Sequence, residues 1–460
     1  MQLGRKDLIW TYAATSMRLI SGACILPFSL KMFPSEEMGV WQIFLQFITV
    51  PAILDFGFAN SFVRNITYVF SGAKELRTTG FGTTPTDSEI DYGLLKSLLR
   101  AMRFFYGVLA VIFLLLFTVA GSFYLHSILK SYSGDTTNIW VAWLLFGGAL
   151  AYEVYTYYYN AILVGRGQVK TSQKITILAQ STRIVVTIAL LLLGLKLLAL
   201  VIGLLAADII SRSIATRMFY DRHTKDRLAA ASVTMPVRKT IKTLAPNAFK
   251  VGIMTVGVFL RQKAIVLIAP YFLPLSLIAS FGTSKQIIDM ISGLGNAWWG
   301  AFHPQATQYT MQNRKDDLKR MYIKSIGAAL LSFVVLGTAF VLTGNIILDF
   351  INSKTFLLPQ FCLIVMLIFS FLDLTQAISS GFLLVGNQVP FYKSNLVAGA
   401  LTVGILLLMF YFTNLGVWSL ILSSGLAMSV YLFWKWPVVV IRDLEIKFSD
   451  ILMTIKNTHR

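Results

Sequence analysis

Long apolar stretches interrupted by short polar ones run along nearly the whole chain. Stretches able to cross about 30 Å of hydrocarbon at about 1.5 Å per residue fall near 8–30, 39–63, 104–125, 139–164, 175–195, 197–216, 241–268, 272–299, 325–344, 355–385, 394–413 and 416–438. The pattern predicts an all-α polytopic membrane protein of about twelve transmembrane helices. Prolines 27, 51 and 246 fall inside spans one, two and seven, where the missing N–H and the ring clash kink a helix.

Composition strengthens that reading. Of 460 residues, 56% are hydrophobic and 13% charged, well below the charge of a soluble domain. Cys24 and Cys362 both lie in apolar stretches, so no disulfide framework or thiolate metal site is indicated, and His126, His223, His303 and His459 are scattered. No phosphate-binding glycine loop or general-base constellation emerges. The expectation is therefore a protein that is not an enzyme and carries no cofactor.

The formal charge of +19 would point to nucleic acid in a soluble chain. Its distribution points elsewhere. With the N-terminus inside, the inner ends and loops hold 30 of the 40 basic residues, and the outer loops hold only Lys31, Lys130, Lys196 and Lys354. By the positive-inside rule both termini are cytoplasmic, and the nucleic-acid reading loses its motivation. A Thr- and Gly-rich, mobile loop is expected near 71–97, and a basic connector near 217–240.

Two sequence echoes support a division into lobes. Leu163-Val164-Gly165-Arg166-Gly167-Gln168-Val169 follows span four, and Leu384-Val385-Gly386-Asn387-Gln388-Val389 follows span ten. Gly57-Phe58-Ala59-Asn60 and Gly293-Leu294-Gly295-Asn296 stand near the inner ends of spans two and eight. The expected organisation is two pseudo-symmetric six-helix lobes, 1–216 and 241–460, joined by the connector 217–240, around a central cavity. Glycines that simply end helices or allow close packing are the other reading of these echoes.

Charges at bilayer depth are costly and usually face protein or a watery cavity. The basic ones are Arg18, Arg183, Lys250, Arg261, Lys263 and Lys285. Lys250 and Arg261 are eleven positions apart, about three full turns, so on a regular helix they form a vertical cationic ladder. Arg18, Lys250 and Arg261 are the first candidates for binding an anionic substrate, with Arg183 and Lys285 beside them. Arg183 either lines the cavity or pairs with an acid such as Glu153. Lys285 with Asp289, and Asp208 with Arg212, are spaced to neutralise each other. Lys263 is placed to snorkel to the outer surface. Among the acids, Asp373 is the candidate for proton or sodium coupling, followed by Asp55 and Glu153; a buried, hydrogen-bonded structural role is the alternative. Tyr152, Tyr155, Tyr157, Tyr158 and Tyr159 form either an interfacial aromatic belt or a sugar-stacking surface.

The Arg-containing first span, the Asp55-Phe56-Gly57-Phe58-Ala59-Asn60-Ser61-Phe62-Val63-Arg64 end of span two and the Leu-Val-Gly turns after spans four and ten together resemble the polysaccharide transporter, or O-antigen flippase, family. That family belongs to the multidrug, oligosaccharidyl-lipid and polysaccharide exporter superfamily. The resemblance implies a V-shaped cavity, alternating access, and movement of an undecaprenyl-pyrophosphate-linked oligosaccharide across a bacterial inner membrane with proton or sodium coupling. Its cationic cavity would correspond to Arg18, Lys250 and Arg261 here, with Arg183. The partners implied are the lipid-linked substrate, membrane lipids and other polysaccharide-assembly membrane proteins. The acidic first-span residue typical of drug exporters is not apparent. A drug exporter of the same fold, and a membrane-embedded glycan polymerase or ligase, are the alternative functions.

Overall fold

The computed structural model describes residues 5–76, 89–385, 391–447 and 450, with the backbone alone at 5–8, 160, 247, 250, 301, 304 and 311. Part of the loop expected near 71–97, and Gly386–Val389 of the second Leu-Val-Gly echo, lie outside the described residues.

The described residues are all-α. The helices are α1 (Arg5–Met32), α2 (Ser35–Phe47), α3 (Val50–Asp55), α4 (Phe58–Phe70), α5 (Tyr92–Leu116), α6 (Ser122–Leu129), α7 (Thr137–Thr156), α8 (Tyr158–Gly165), α9 (Val169–Leu192), α10 (Lys196–Phe219), α11 (Arg222–Ala230), α12 (Val237–Gln262), α13 (Ala264–Ile268), α14 (Leu275–Met311), α15 (Lys315–Phe350), α16 (Gln360–Val385), α17 (Tyr392–Phe412), α18 (Val417–Ser429) and α19 (Leu432–Asp443). Among the described residues, ten segments are long and apolar enough to span a membrane, and one bent pair raises the number to eleven. The remaining expected span, near 272–299, is α14. Its 37 residues are long enough, but charges such as Lys285 and Asp289 leave it too polar to be counted by composition.

Packing divides the chain into two compact units. The first comprises Met1–Phe33 and Phe47–Thr255, the second Pro34–Gln46 and Val256–Arg460. This partition differs from a simple split at the connector. Most of α2 packs with the second unit, where a Cβ on Gly39 would run into the backbone of Leu275. The expected connector 217–240 packs on the first unit: Lys96 Nζ donates to the Ala231 carbonyl at 2.7 Å, and Ser97 Oγ accepts from the Thr234 and Met235 amides at 3.0 and 3.1 Å.

Span two is broken rather than continuous. Pro51 sits in the first turn of α3, where its missing N–H costs nothing, so it starts a helix instead of kinking one. The break follows at Phe56 and Gly57, with φ of +50° and +81°. Asp55 bridges it: the buried carboxylate accepts from the Ala59 amide at 2.9 and 3.1 Å and from the Tyr106 hydroxyl. Beside this break lies a second one, the bend of 66° in α12 between Val237–Pro246 and Val251–Gln262. A Cβ on Gly57 would lie 2.7 Å from the Ala248 carbonyl oxygen and 2.7 Å from Val251 Cβ. Gly293–Asn296 instead lies inside uninterrupted α14, so this echo does not share one local conformation.

The first unit's core is aromatic. Phe62, Ile66, Leu98, Tyr106, Tyr158 and Phe219 are all nearly inaccessible. Tyr158 stacks against Tyr106 and Tyr159, with centroids 6.1 and 4.4 Å apart. Part of the tyrosine run is therefore core, and only Tyr155, 43% exposed, faces outward.

We expect Gly57→Ala to cost more than about 1 kcal/mol, because it adds a Cβ at positive φ against packed backbone; thermal unfolding in detergent checks this. Asp221 provides a pH-dependent test. It caps α11 by accepting from the Thr224 amide at 2.7 Å and pairs with Arg166 at 3.0 Å. Hydrogen bonds from Thr224, followed by Arg166, hold its carboxyl down at about 2. A lowered folded pKa means the contribution is present above the ordinary carboxylate range and fades as pH falls from about 4 towards 2. Asp221→Ala should cost about 1 kcal/mol at neutral pH, and the gap from the parent protein should narrow at acid pH.

Candidate functional site

Within the second unit, α12, α14, α16 and α18 enclose a cavity of about 390 Å³ whose walls include Arg261, Lys285, Asp289, Asn296, Ser370 and Asp373. Close helix approach sets the position of Arg261. One turn earlier, a Cβ on Gly257 would lie 2.6 Å from the Asn395 carbonyl oxygen, and one on Gly399 would lie 2.6 Å from the Gly257 carbonyl oxygen. The absence of side chains at both positions lets α12 and α17 meet backbone to backbone, as packing between helices in lipid favours.

Arg261 is 4% exposed. Its Nη1 donates to Asp373 Oδ1 at 2.7 Å and also lies 2.7 Å from Met428 Sδ, while its Nε has no hydrogen-bond partner among the described residues. The Asp373 side chain is 32% exposed. The pair is thus asymmetric, with a guanidinium held in the wall and a carboxylate that reaches the cavity. Lys285 Nζ donates to both Asp289 oxygens, at 2.8 and 3.0 Å, so the spacing read from the sequence closes as an ion pair. Two cations and two anions line the cavity, and both carboxylates have a resident positive partner.

The other expected residues are dispersed. Arg18, on α1, is exposed and has no ion-pair partner among the described residues. The side chain of Lys250 lies outside the described residues. Its backbone falls at the α12 bend, within the first unit, whereas Arg261 belongs to the second. The expected ladder of Lys250 and Arg261 therefore lies outside the described residues. Asp55 is the bridge across the span-two break described above.

Arg183 on α9, Glu153 on α7 and Asp208 and Arg212 on α10 lie within electrostatic reach of one another in the first unit. The sequence offered Asp208–Arg212 as a pair and left Arg183 open between the cavity and Glu153; the fold gathers all four. Nε of Arg183 and of Arg212 is buried without a hydrogen-bond partner. The Arg261–Asp373 pair and the Met428 contact were missed in sequence because their members are 112 and 167 positions apart, and no local spacing encodes them. Lys263, expected to snorkel, is half-buried and lies near Lys285 and Asp289.

No protein-family model and no curated protein sequence matches the chain. Solved structures do. A multidrug resistance MATE family transporter of the MOP superfamily, in an inward-facing conformation, is 14% identical, with 95% of this chain and 99% of that chain covered and a TM-score of 0.63. An outward-facing MATE family transporter is also 14% identical, with 98% and 96% covered and a TM-score of 0.58. A MOP superfamily transporter from Pyrococcus furiosus, described by a reverse polarity of its binding pocket that suggests a different function, is 13% identical, with 96% of each chain covered and a TM-score of 0.56. The chain is a polytopic membrane protein with the fold of MOP superfamily transporters.

Removing one member of the buried pair strands the other charge. Asp373→Ala is expected to cost about 3 kcal/mol, at the low end for a buried pair because the carboxylate reaches the cavity. The double variant Arg261→Met/Asp373→Leu should recover most of that loss in detergent thermal unfolding. Equal instability of the single and double variants would contradict a stranded charge.

Proposed function

We propose that this protein moves a lipid-linked, anionic glycan across a membrane by alternating access. The substrate we favour is a polyprenyl-pyrophosphate-linked oligosaccharide, with undecaprenyl as the lipid and the bacterial inner membrane as the setting. The observation that carries the reading is Arg261, a guanidinium built into the wall of a cavity at membrane depth and held by a partly exposed carboxylate. A cationic drug entering that cavity meets carboxylates that already have cations. A phosphate oxygen can take the place of Asp373 on the guanidinium, where a charge-assisted hydrogen bond replaces the one lost. Arg18, with no ion-pair partner among the described residues, supplies further positive charge in the first unit, and Arg183 stands in the group with Glu153, Asp208 and Arg212.

Coupling follows from the same exchange. When Asp373 binds a proton or a sodium ion it no longer competes for Arg261, and the guanidinium is released to an anion. When the ion leaves, the carboxylate returns and displaces the anion. One charge moving through 100 mV is worth about 2.3 kcal/mol, enough to bias such a cycle.

Export of drugs by the same fold is the second reading, favoured by the MATE multidrug transporters among the similar structures. Mass spectrometry of polyprenyl-linked glycans in cells depleted of the protein separates the two. Accumulation of a pyrophosphate-linked glycan on the inner leaflet supports the proposal; unchanged glycans with raised drug retention refute it. In proteoliposomes, Arg261→Ala should slow glycan translocation more than about tenfold. Asp373→Asn should retain glycan binding while abolishing the dependence of transport on an ion gradient.

A further inference from the structure

Outside the candidate site, a groove rich in cations lies on the first unit. It is built by the start of α5, by α11 and by the start of α12. Two adjoining hollows, about 410 and 700 Å³, share Arg100. Their walls carry six cations, Lys96, Arg100, Arg103, Lys225, Arg238 and Lys242, and no carboxylate. Two of these are committed within the fold. Lys96 donates to the Ala231 carbonyl at 2.7 Å, and Arg103 donates to the Tyr220 hydroxyl at 2.6 Å. The other four are exposed and have no ion-pair partner among the described residues. Asp221, the acid before α11, is already occupied by Thr224 and Arg166.

The groove continues into an apolar track. From Arg100, positions 104, 108, 111 and 115 follow at helical spacing along one face of α5. Phe104, Val108, Val111 and Leu115 are 58, 43, 60 and 61% exposed. The stripe extends about 22 Å beyond Arg100 along the helix axis, enough to pass through one leaflet's hydrocarbon, about 15 Å deep. The hollow that holds Arg238 and Lys242 is itself floored by Phe104, Val237 and Ile241.

A basic cradle set directly at the foot of an apolar stripe matches a molecule with an anionic head and a hydrocarbon tail. We propose that this groove is a binding site for an anionic glycerophospholipid of the leaflet that the Lys and Arg distribution assigns to the cytoplasm. The phosphodiester sits among Arg100, Arg238, Lys242 and Lys225, and one acyl chain lies along Phe104, Val108, Val111 and Leu115. Guanidinium and ammonium donors satisfy the phosphate oxygens. Nucleic acid and acidic peptides offer nothing to the stripe. The site is fastened by the Lys96 and Ser97 hydrogen bonds to residues 231–235, so bound lipid links α5 to the segment that leads into bent α12. The proposal is independent of the transported substrate.

Native mass spectrometry of the full-length protein, incubated with equal amounts of phosphatidylglycerol and phosphatidylcholine, tests it. Phosphatidylglycerol should be retained in preference, and the variant Arg100→Gln/Arg238→Gln/Lys242→Gln should lose more than about tenfold of that retention. A control variant with three exposed cations changed elsewhere, Lys315→Gln/Arg320→Gln/Lys393→Gln, should retain it. If the triple groove variant does not fold, Arg100→Gln alone, expected to lose about fivefold, is read in its place. Equal retention of the two lipids, unchanged retention in the groove variants, or equal loss in the control would overturn the site. Displacement of the lipid by millimolar inorganic phosphate would also overturn it, since a phosphate site without need of a tail would then be indicated.

Discussion

A polar group that enters hydrocarbon must find its partner within the protein, and this constraint organises the molecule. Helices satisfy it for the backbone, and charged side chains at depth satisfy it best by pairing. Arg261 shows the constraint most clearly. Its guanidinium is withdrawn into a helix contact made possible by Gly257 and Gly399, and it is neutralised by a carboxylate from α16. The pair ties α12 to α16, and the Asp373 side chain stays partly exposed at the cavity. Stability and a capacity for exchange thus reside in the same two residues.

The constraint also explains where the helices break. An interruption at membrane depth frees amides and carbonyls that hydrocarbon cannot satisfy. At Phe56 and Gly57 the chain turns through positive φ, and Asp55 receives the Ala59 amide and the Tyr106 hydroxyl. The bend after Pro246 lies against this turn. Two breaks packed together leave less backbone exposed than two breaks apart, and they place rearrangeable backbone at one location in the first unit. Asp55, a candidate for ion coupling in the sequence, joins the two sides of the span-two break through these hydrogen bonds.

Charge near the surface follows a different rule. Exposed cations need no internal partner, so they can gather without acids, as around Arg100, Arg238 and Lys242. The positive bias that orients the chain and the local cradle on α5 draw on the same residues. Orientation requires only their number on one side, whereas the cradle depends on α11 and α12 folding back onto α5.

Much of the architecture was legible along the chain. Apolar run length determines helices, because only an internally hydrogen-bonded segment is tolerated in lipid, and the Pro246 kink follows from a ring that cannot fit a regular helix. The i, i+4 pair of Lys285 and Asp289 was legible for the same reason: one helical turn is local geometry. The sequence could not reveal that Pro51 would begin a helix, that span two would break at Gly57, or that most of α2 would pack with the second unit. Those outcomes depend on neighbours hundreds of positions away. Arg261 was visible as an expensive charge, but its partner was not, since Asp373 lies 112 positions away on α16 and meets it only in the folded chain. Asp208 and Arg212 likewise read as a pair, with Arg183 open between the cavity and Glu153, and the four became one group when α7, α9 and α10 came together. Local chemistry determined which residues needed an explanation; the packing of helices against one another decided what each of them met.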